Sequence, residues 1–278
     1  MVFITSQSLT AEISRQQNMA KEIAGEQAKI SSGKKINAPS DDPQAWVQIS
    51  EVGRQQSVNV TWASNVTYGQ SRATAASTNL AEVNNLMTKV TELLVGSTST
   101  GPNSPGREAT AQSIEGIRQT IRDLLYQTDY QGSPVFDDTN TVNIPVGTGL
   151  AVEAVGTRQS ITDNAVGTQS IDDVLGAAIA AVRSGDSEAL KTSLTDSRAA
   201  LDHVIVAQSI QSVREQRLDD FSTRLADKKL ALTERRSTLE DTNLNEVITS
   251  LQSKLLTLEA AQSAFARISK QSLFDLLR

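Results

Sequence analysis

Three pairs of neighbouring aspartates are the first residues in the sequence that could do chemistry: Asp41-Asp42, Asp137-Asp138 and Asp172-Asp173. Paired carboxylates can share a proton in acid–base work or hold a divalent cation. Each pair, however, stands in a loop or just ahead of an apolar periodic run, so all three read as loop or helix-start residues. Asp42 can cap a helix whose first position is Pro43, and Asp41 adds favourable charge near that N-terminus, worth roughly 0.3–1 kcal/mol. His203 sits on a helical stretch with no second His and no Cys, and reads as an ordinary surface or packing residue. Gly147-Thr148-Gly149 lacks the following Gly-Lys-Ser/Thr of a phosphate loop and reads as a hairpin turn. Trp46 and Trp62 read as core or inter-subunit packing rather than ligand platforms. No catalytic residue, cofactor site or metal site is expected, and a hydrolase built on paired acids is disfavoured for want of a pocket constellation.

Composition excludes more. The 278 residues carry 26 Lys+Arg against 32 Asp+Glu, a net charge of −6, which argues against a nucleic-acid or anionic-membrane partner. The longest apolar runs, such as Gly176–Val182, fall far short of the roughly 20 residues of a membrane span. The first residues show no basic segment followed by an apolar one, so no cleaved signal peptide is expected. With no Cys there is no disulfide framework and no thiolate chemistry. Aromatics are only 4% of the chain, while Ala, Leu, Ser, Thr and Gln are abundant, the makeup of long helices packed as bundles or coiled coils.

The elements follow from periodicity. A helix over about 3–32 places Val2, Leu9, Ile23 and Ile30 in one seven-residue row with Gln16, and Ile13, Ala20 and Gln27 in its companion. Gly33 suits a left-handed helix end, and the turn through Pro39, Asp41, Asp42 and Pro43 leads into a helix to about Val95. There Val52, Val66, Ala73, Leu80, Met87 and Leu94 keep strict heptad spacing, with Asn59 the polar member. A Gly/Ser/Thr/Pro loop follows, then a helix over about Arg107–Tyr130. Val142, Ile144 and Val146 alternate, as do Leu150, Val152 and Ala154, which predicts a β-hairpin. Helices resume over Ile171–Arg183 and from about Ser187, where Leu218, Leu225, Leu232 and Leu239 lie seven apart. A break near 240–243 precedes a last helix carrying Leu244, Leu251, Leu258 and Phe265 in one row and Ile248 and Leu255 in the other.

This pattern predicts a mainly α protein: an elongated antiparallel helical bundle or coiled coil with its N- and C-terminal helices paired and a small β-hairpin insert. The expected parts are a terminal helical domain (1–40 with 243–278), a helical rod (41–132 with 171–242) and a β-rich insert (133–170). The terminal helices can pair antiparallel or side by side. The apolar residues of the first one (Val2, Leu9, Ile13, Ile23, Ile30) supply at most on the order of 10 kcal/mol, while ordering each residue costs about 1–2 kcal/mol in backbone entropy. Such helices need further contact area, which points to association with other copies. Val2, Leu9, Ile13, Ile23, Ile30, Leu244, Ile248, Leu251, Leu255, Leu258 and Phe265 are the expected assembly seam.

Ile30-Ser31-Ser32-Gly33-Lys34-Lys35-Ile36-Asn37-Ala38-Pro39-Ser40-Asp41-Asp42-Pro43 resembles the end of the N-terminal helix of the bacterial flagellin superfamily and the segment after it. The stretch from Leu239 through Thr249 and the closing Ser272–Arg278 resemble its C-terminal counterpart, and Met87–Leu94 with Gln127–Phe136 the middle of its rod. Asp41-Asp42-Pro43 and Ser272-Leu273-Phe274-Asp275 resemble the hook–filament junction branch more than filament flagellins. The resemblance implies an extracellular structural subunit of the flagellum, self-assembling through its terminal helices. It also implies neighbouring hook-associated protein and flagellin subunits as partners, type III export aided by a chaperone, and no enzyme activity. A short or minor filament flagellin is the alternative, and a cytoplasmic coiled-coil adaptor a more distant one.

Overall fold

The computed structural model describes residues 6–99, 101, 104–129 and 132–276, without the side chains of 6–9 and 268–276. Val2 therefore lies outside the described residues, as does the side chain of Leu9. Among them the chain forms α1 (Ser6–Ser32), α2 (Pro43–Thr98), α3 (Pro105–Leu125), β1 (Val142–Gly147), β2 (Leu150–Val155), α4 (Arg158–Thr162), α5 (Ile171–Ser184), α6 (Ser187–Glu240) and α7 (Leu244–Leu276). It is a helical bundle with one antiparallel hairpin, the class that the periodicity predicts. The chain divides into two compact units, Val58–Lys228 and Met1–Ser57 with Lys229–Arg278; α2 and α6 contribute a segment to each.

In the unit Val58–Lys228 the heptad row of α2 is the spine of the core. Val66, Ala73, Leu80, Met87 and Leu94 are all buried, joined by Ile114 and Ile121 of α3, Val174 and Leu175 of α5, and Leu190, Val204 and Leu218 of α6. The helices α2 and α6 run antiparallel, and polar residues stitch them. Buried Asn59 donates to the Leu225 carbonyl at 2.9 Å, and Asn84 donates to Gln208 Oε1 at 2.9 Å. Asp172 receives four hydrogen bonds of 2.6–2.8 Å from Arg118 and Arg122, which ties α5 to α3. Ser170 and Asp173 form a reciprocal capping box at the start of α5, and Gly185, with φ +71°, ends it.

Two features depart from the sequence expectation. First, α3 stops at Leu125, short of Tyr130, because Asn79 of α2 donates to the Leu124 carbonyl at 3.0 Å and to Gln127 Oε1 at 2.8 Å. The chain then folds back through a Thr128–Pro134 bridge that carries Phe136 into the core, fully buried. Buried Arg72 holds that return, pairing with Asp129 at 2.6 Å and donating to the Pro134 carbonyl. Second, Leu150 is exposed, whereas its row-mates Val152 and Ala154 are buried, because the strand pairing shifts register beside the turn. The hairpin rests directly on α2: a Cβ at Gly69 would stand 2.7 Å from Ile144 Cγ1. Gln211 of α6 donates to the Ala154 carbonyl at 2.8 Å, and Asn65 of α2 to that of Pro145 at 3.0 Å.

Candidate functional site

The aspartate pairs are structural in their geometry. Asp42 caps α2, accepting from the amides of Gln44 and Ala45 at 3.0 and 2.9 Å, with Pro43 at the first position. Asp41 does something other than charge the helix end: its Oδ2 accepts from the amides of Asn37 and Ala38, both at 2.9 Å. Those two hydrogen bonds hold its carboxyl below the usual carboxylate range and close the turn in which Pro39 sits. Asp137 accepts from the amides of Thr139 and Asn140, and Asp138 pairs with Arg158. His203 is half-buried beside the core, and its Nε2 has no hydrogen-bond partner. Trp62 packs on the core under the Lys228 ammonium, and Trp46 is half-buried near the start of α2. A shallow hollow between α3 and α5 is lined by Glu115, Arg118, Gly176, Ile179, Arg183 and Ser184. Its charged groups are mostly engaged in ion pairs, which leaves no convergent nucleophile and base. Among the described residues no cluster of three or more His, Asp or Glu could hold a metal ion, and no helix is long and apolar enough to cross a membrane.

The feature that calls for a function lies in the unit Met1–Ser57 with Lys229–Arg278. The end of α1 and the end of α6 are clasped together. Gly33, at φ +70°, receives the Thr242 amide on its carbonyl at 3.0 Å, and Lys35 donates its amide to the Glu240 carbonyl at 2.7 Å. Lys35 Nζ reaches the Thr238 carbonyl at 2.8 Å. Glu240 is the centre: Lys34 Nζ and Arg236 Nε each stand 2.8 Å from its carboxylate. Burial pushes that carboxyl up, but the hydrogen bonds from Lys34 and Arg236 outweigh burial and hold it below the ordinary glutamate value. Ile36, the residue after Lys35, is buried.

From this clasp α1 and α7 run antiparallel. Lys254 places its ammonium 3.2 Å from both Glu22 and Glu26, which sets Lys254 level with Ile23. Besides Lys29 and Ser250, the shielded residues of α1 are Glu12, Gln16, Met19, Ile23, Glu26 and Ile30, and those of α7 are Val247, Leu251, Lys254, Leu258, Ala261 and Phe265. Both sets alternate steps of four and three, the spacing of a coiled-coil seam. So Ile23, Ile30, Leu251, Leu258 and Phe265 lie against the partner helix within the chain. Ile13, Leu244, Ile248 and Leu255 do not; they are 47%, 45%, 40% and 45% exposed. The companion rows expected from sequence are thus turned out of the intramolecular seam. Sequence reasoning missed Val247, Met19, Lys254 and Glu240, whose signal was available: a Lys on α7 and two acids four apart on α1.

At about 100° per residue, the outward row of each helix lies about 80° from its seam, in the same rotational sense on both. In an antiparallel pair, equal senses put the two rows on one common side. Ile13 and Ala20 of α1 therefore share a face with Ile248 and Leu255 of α7. The α1 part of this face, Ile13, Gln17, Ala20, Ala24, Gln27 and Ser31, is exposed and carries no charge.

Comparison with known proteins gives a consistent result. Residues 4–141 match the bacterial flagellin N-terminal helical region. The chain is similar to flagellar hook-associated protein 3 of Escherichia coli (strain K12), 24% identical over 291 residues that cover 91% of each chain. It is also similar to the protein of that name from Salmonella typhimurium, 22% identical over 293 residues covering 91% of this chain and 92% of that one. Its fold resembles the crystal structure of Bacillus cereus FlgL, with a TM-score of 0.58 at 17% identity, covering 67% of this chain and 98% of the other.

Proposed function

The chain belongs to the bacterial flagellin superfamily, and on that premise we propose that it is the structural subunit that joins hook to filament in the flagellum, built in through its terminal helices. The observation that carries this reading is the outward row on the α1/α7 pair: Ile13, Ile248 and Leu255 are left 40–47% exposed among the described residues. Fully burying each such side chain is worth roughly 1.5–3 kcal/mol, so docking the row on a neighbour supplies the contact area that the pair lacks by itself. Copies of the same chain occupy one side, and hook-associated protein and flagellin subunits lie above and below. The residues before about 40 and after about 243 form the inner tube layer, and the hairpin faces outward. Delivery is through the flagellar export apparatus without signal cleavage, with a chaperone shielding the row in transit.

The test is a strain lacking the protein, complemented with wild type or with the double variant Ile248→Ser, Leu255→Ser. Immunogold labelling of wild-type flagella is expected to give one band at the end of the hook. The variant is expected to be exported, to leave no band and to leave hooks bare while flagellin is shed into the medium. Staining along the shaft would identify a filament flagellin instead, and normal incorporation of the double variant would remove the row as an assembly surface.

A further inference from the structure

Two strips of the unit Val58–Lys228 stay open to water without carrying charge. The first is on α2. Between Arg54 and Glu82 the only charged residue of that helix is Arg72, which is buried against Asp129. The residues one place after the buried heptad row form a row of their own: Val60, Thr67, Thr74, Ala81, Thr88 and Val95. Ala81 is half-buried and the others are exposed, Val60 by 58% and Val95 by 46%. Thr67 and Thr88 donate their hydroxyls to the Ala63 and Asn84 carbonyls, both at 3.0 Å, so they bring no free donor to the strip. The second strip is on α6, where Val206, Ile210 and Val213 are 56%, 47% and 60% exposed. No Asp, Glu, Lys or Arg stands between Asp202 and Arg214.

The two strips face opposite ways. At about 100° per residue, the α2 row lies about 130° to one side of the middle of its seam, and the α6 strip about 110° to the other. Because the helices are antiparallel, opposite senses put the strips on opposite sides of the pair. The bridges Ser77–Glu215 at 3.1 Å and Asn84–Gln208 at 2.9 Å join residues turned in one common sense, as that geometry requires. Together with Gln211, which donates to the Ala73 carbonyl, they set residues 206–213 alongside residues 74–81. A copy displaced sideways, with no shift along the helices, therefore brings its α6 strip onto the α2 strip of the first.

We propose that Val206, Ile210 and Val213 of one copy dock on the α2 strip of the next copy, around Thr74 and Ala81, in a side-by-side contact that repeats from copy to copy. A contact between two different patches of one chain propagates in this way, whereas a patch that meets itself stops at two. Neither strip carries a charge that the other leaves unpaired, so the fit costs no buried ion. Residues 206–213 span about 12 Å of helix and about 10 Å of width, far short of the roughly 800 Å² per partner that a stable pair buries. The contact therefore holds no dimer in dilute solution and counts only where the terminal helices already bring copies together. The inference rests on the assembly reading above and adds to it a second contact, in the central unit.

Cross-linking in isolated flagella tests this, because the chain contains no cysteine of its own. Thr74→Cys with Ile210→Cys places the two thiols on opposite sides of one chain, so a short bis-maleimide can join them only between copies. The double variant is expected to give a ladder of dimers and higher multimers, and each single variant to stay monomeric. Absence of a ladder from an incorporated double variant overturns the proposal, and so do dimers from either single variant. Charge pairs decide independently, whether or not the Cys pair incorporates. Thr74→Lys and Ile210→Lys are each expected to lower immunogold labelling of flagella at least tenfold while unfolding of the purified monomer is unchanged. Thr74→Lys with Ile210→Glu is expected to restore the labelling. Normal labelling of the single Lys variants, or no recovery in the opposite-charge pair, overturns the contact. The junction reading fails separately: a ladder from flagella stained along the shaft keeps this contact and assigns it to a filament subunit.

Discussion

The two units of this chain solve the same problem with different materials. In the unit Val58–Lys228, α2 and α6 are flanked by α3, α5 and the hairpin, and most apolar rows end inside a common core. In the other unit, α1 and α7 have each other, and Ile13, Leu244, Ile248, Leu255 and Leu256 stay 40–70% exposed among the described residues. The clasp around Glu240 joins that pair at its root with hydrogen bonds and ion pairs rather than with a large apolar cluster. The lesson is that similar heptad sequences yield a finished core where several elements converge and an unfinished one where only two do.

Four measurements would break or sharpen that contrast, and the first has the largest expected effect. Phe136→Ala empties a fully buried site in the core and is expected to cost about 3–5 kcal/mol in denaturant unfolding of the central unit. Second comes Glu240→Gln, which weakens the charge-assisted bonds to Lys34 and Arg236. It is expected to raise exchange at the Lys35 and Thr242 amides by the equivalent of about 1.5–3 kcal/mol, with the Phe136 region unchanged. Because Glu240 titrates below the ordinary glutamate value when folded, its contribution is complete above that ordinary value and fades as pH falls through the folded one. Amide exchange followed from pH 7 down to 3 should show the clasp loosening at the acid end in wild type, with a flatter profile in Glu240→Gln.

Third, Gly185→Ala forces a side chain into the left-handed region at φ +71° and is expected to cost about 1–2 kcal/mol in thermal unfolding of the central unit. The smallest effect on the monomer belongs to Leu255→Ser. It lies outside the seam and is expected to change unfolding by less than about 0.5 kcal/mol, while incorporation into flagella is lost. A large stability loss at Leu255 would mean that the pair is already closed over its apolar row. A core-like response at Glu240 that also moves Phe136 would mean that the two units are not energetically separate.

The central unit was legible from its sequence because its rows obey one rule. Where Val66, Ala73, Leu80, Met87 and Leu94 repeat, only one face of α2 is apolar and burial has no choice. Gly33, Asp42 and Pro43 were legible for the same local reason, since cap chemistry is set by a residue and its immediate neighbours. The terminal pair was harder. Each of its helices carries two adjacent rows, and the periodicity alone places both in the expected seam. The structure closes the pair through the arc containing Ile23, Glu26, Val247, Leu251 and Lys254, where the Lys254–Glu26 pair joins residues more than two hundred apart in sequence. Asp41 shows the limit on a smaller scale. Its partners are amides of the preceding turn, and a carboxylate beside a helix start reads the same whether it faces forward or back. Arg72 gave no periodic signal at all, because its role depends on where residues 129–135 return.

The hairpin's seat on Gly69 has a practical consequence. Its base is clamped by Asn65, Gln211 and a contact too close for any β-carbon, whereas the far end, Thr148 and Leu150, is free of such clamps and partly or fully open to water. A peptide spliced between Gly147 and Gly149 would inherit a rigid stalk and leave the helices beneath undisturbed, making this bend the natural place to mount a tag, an epitope or a dye.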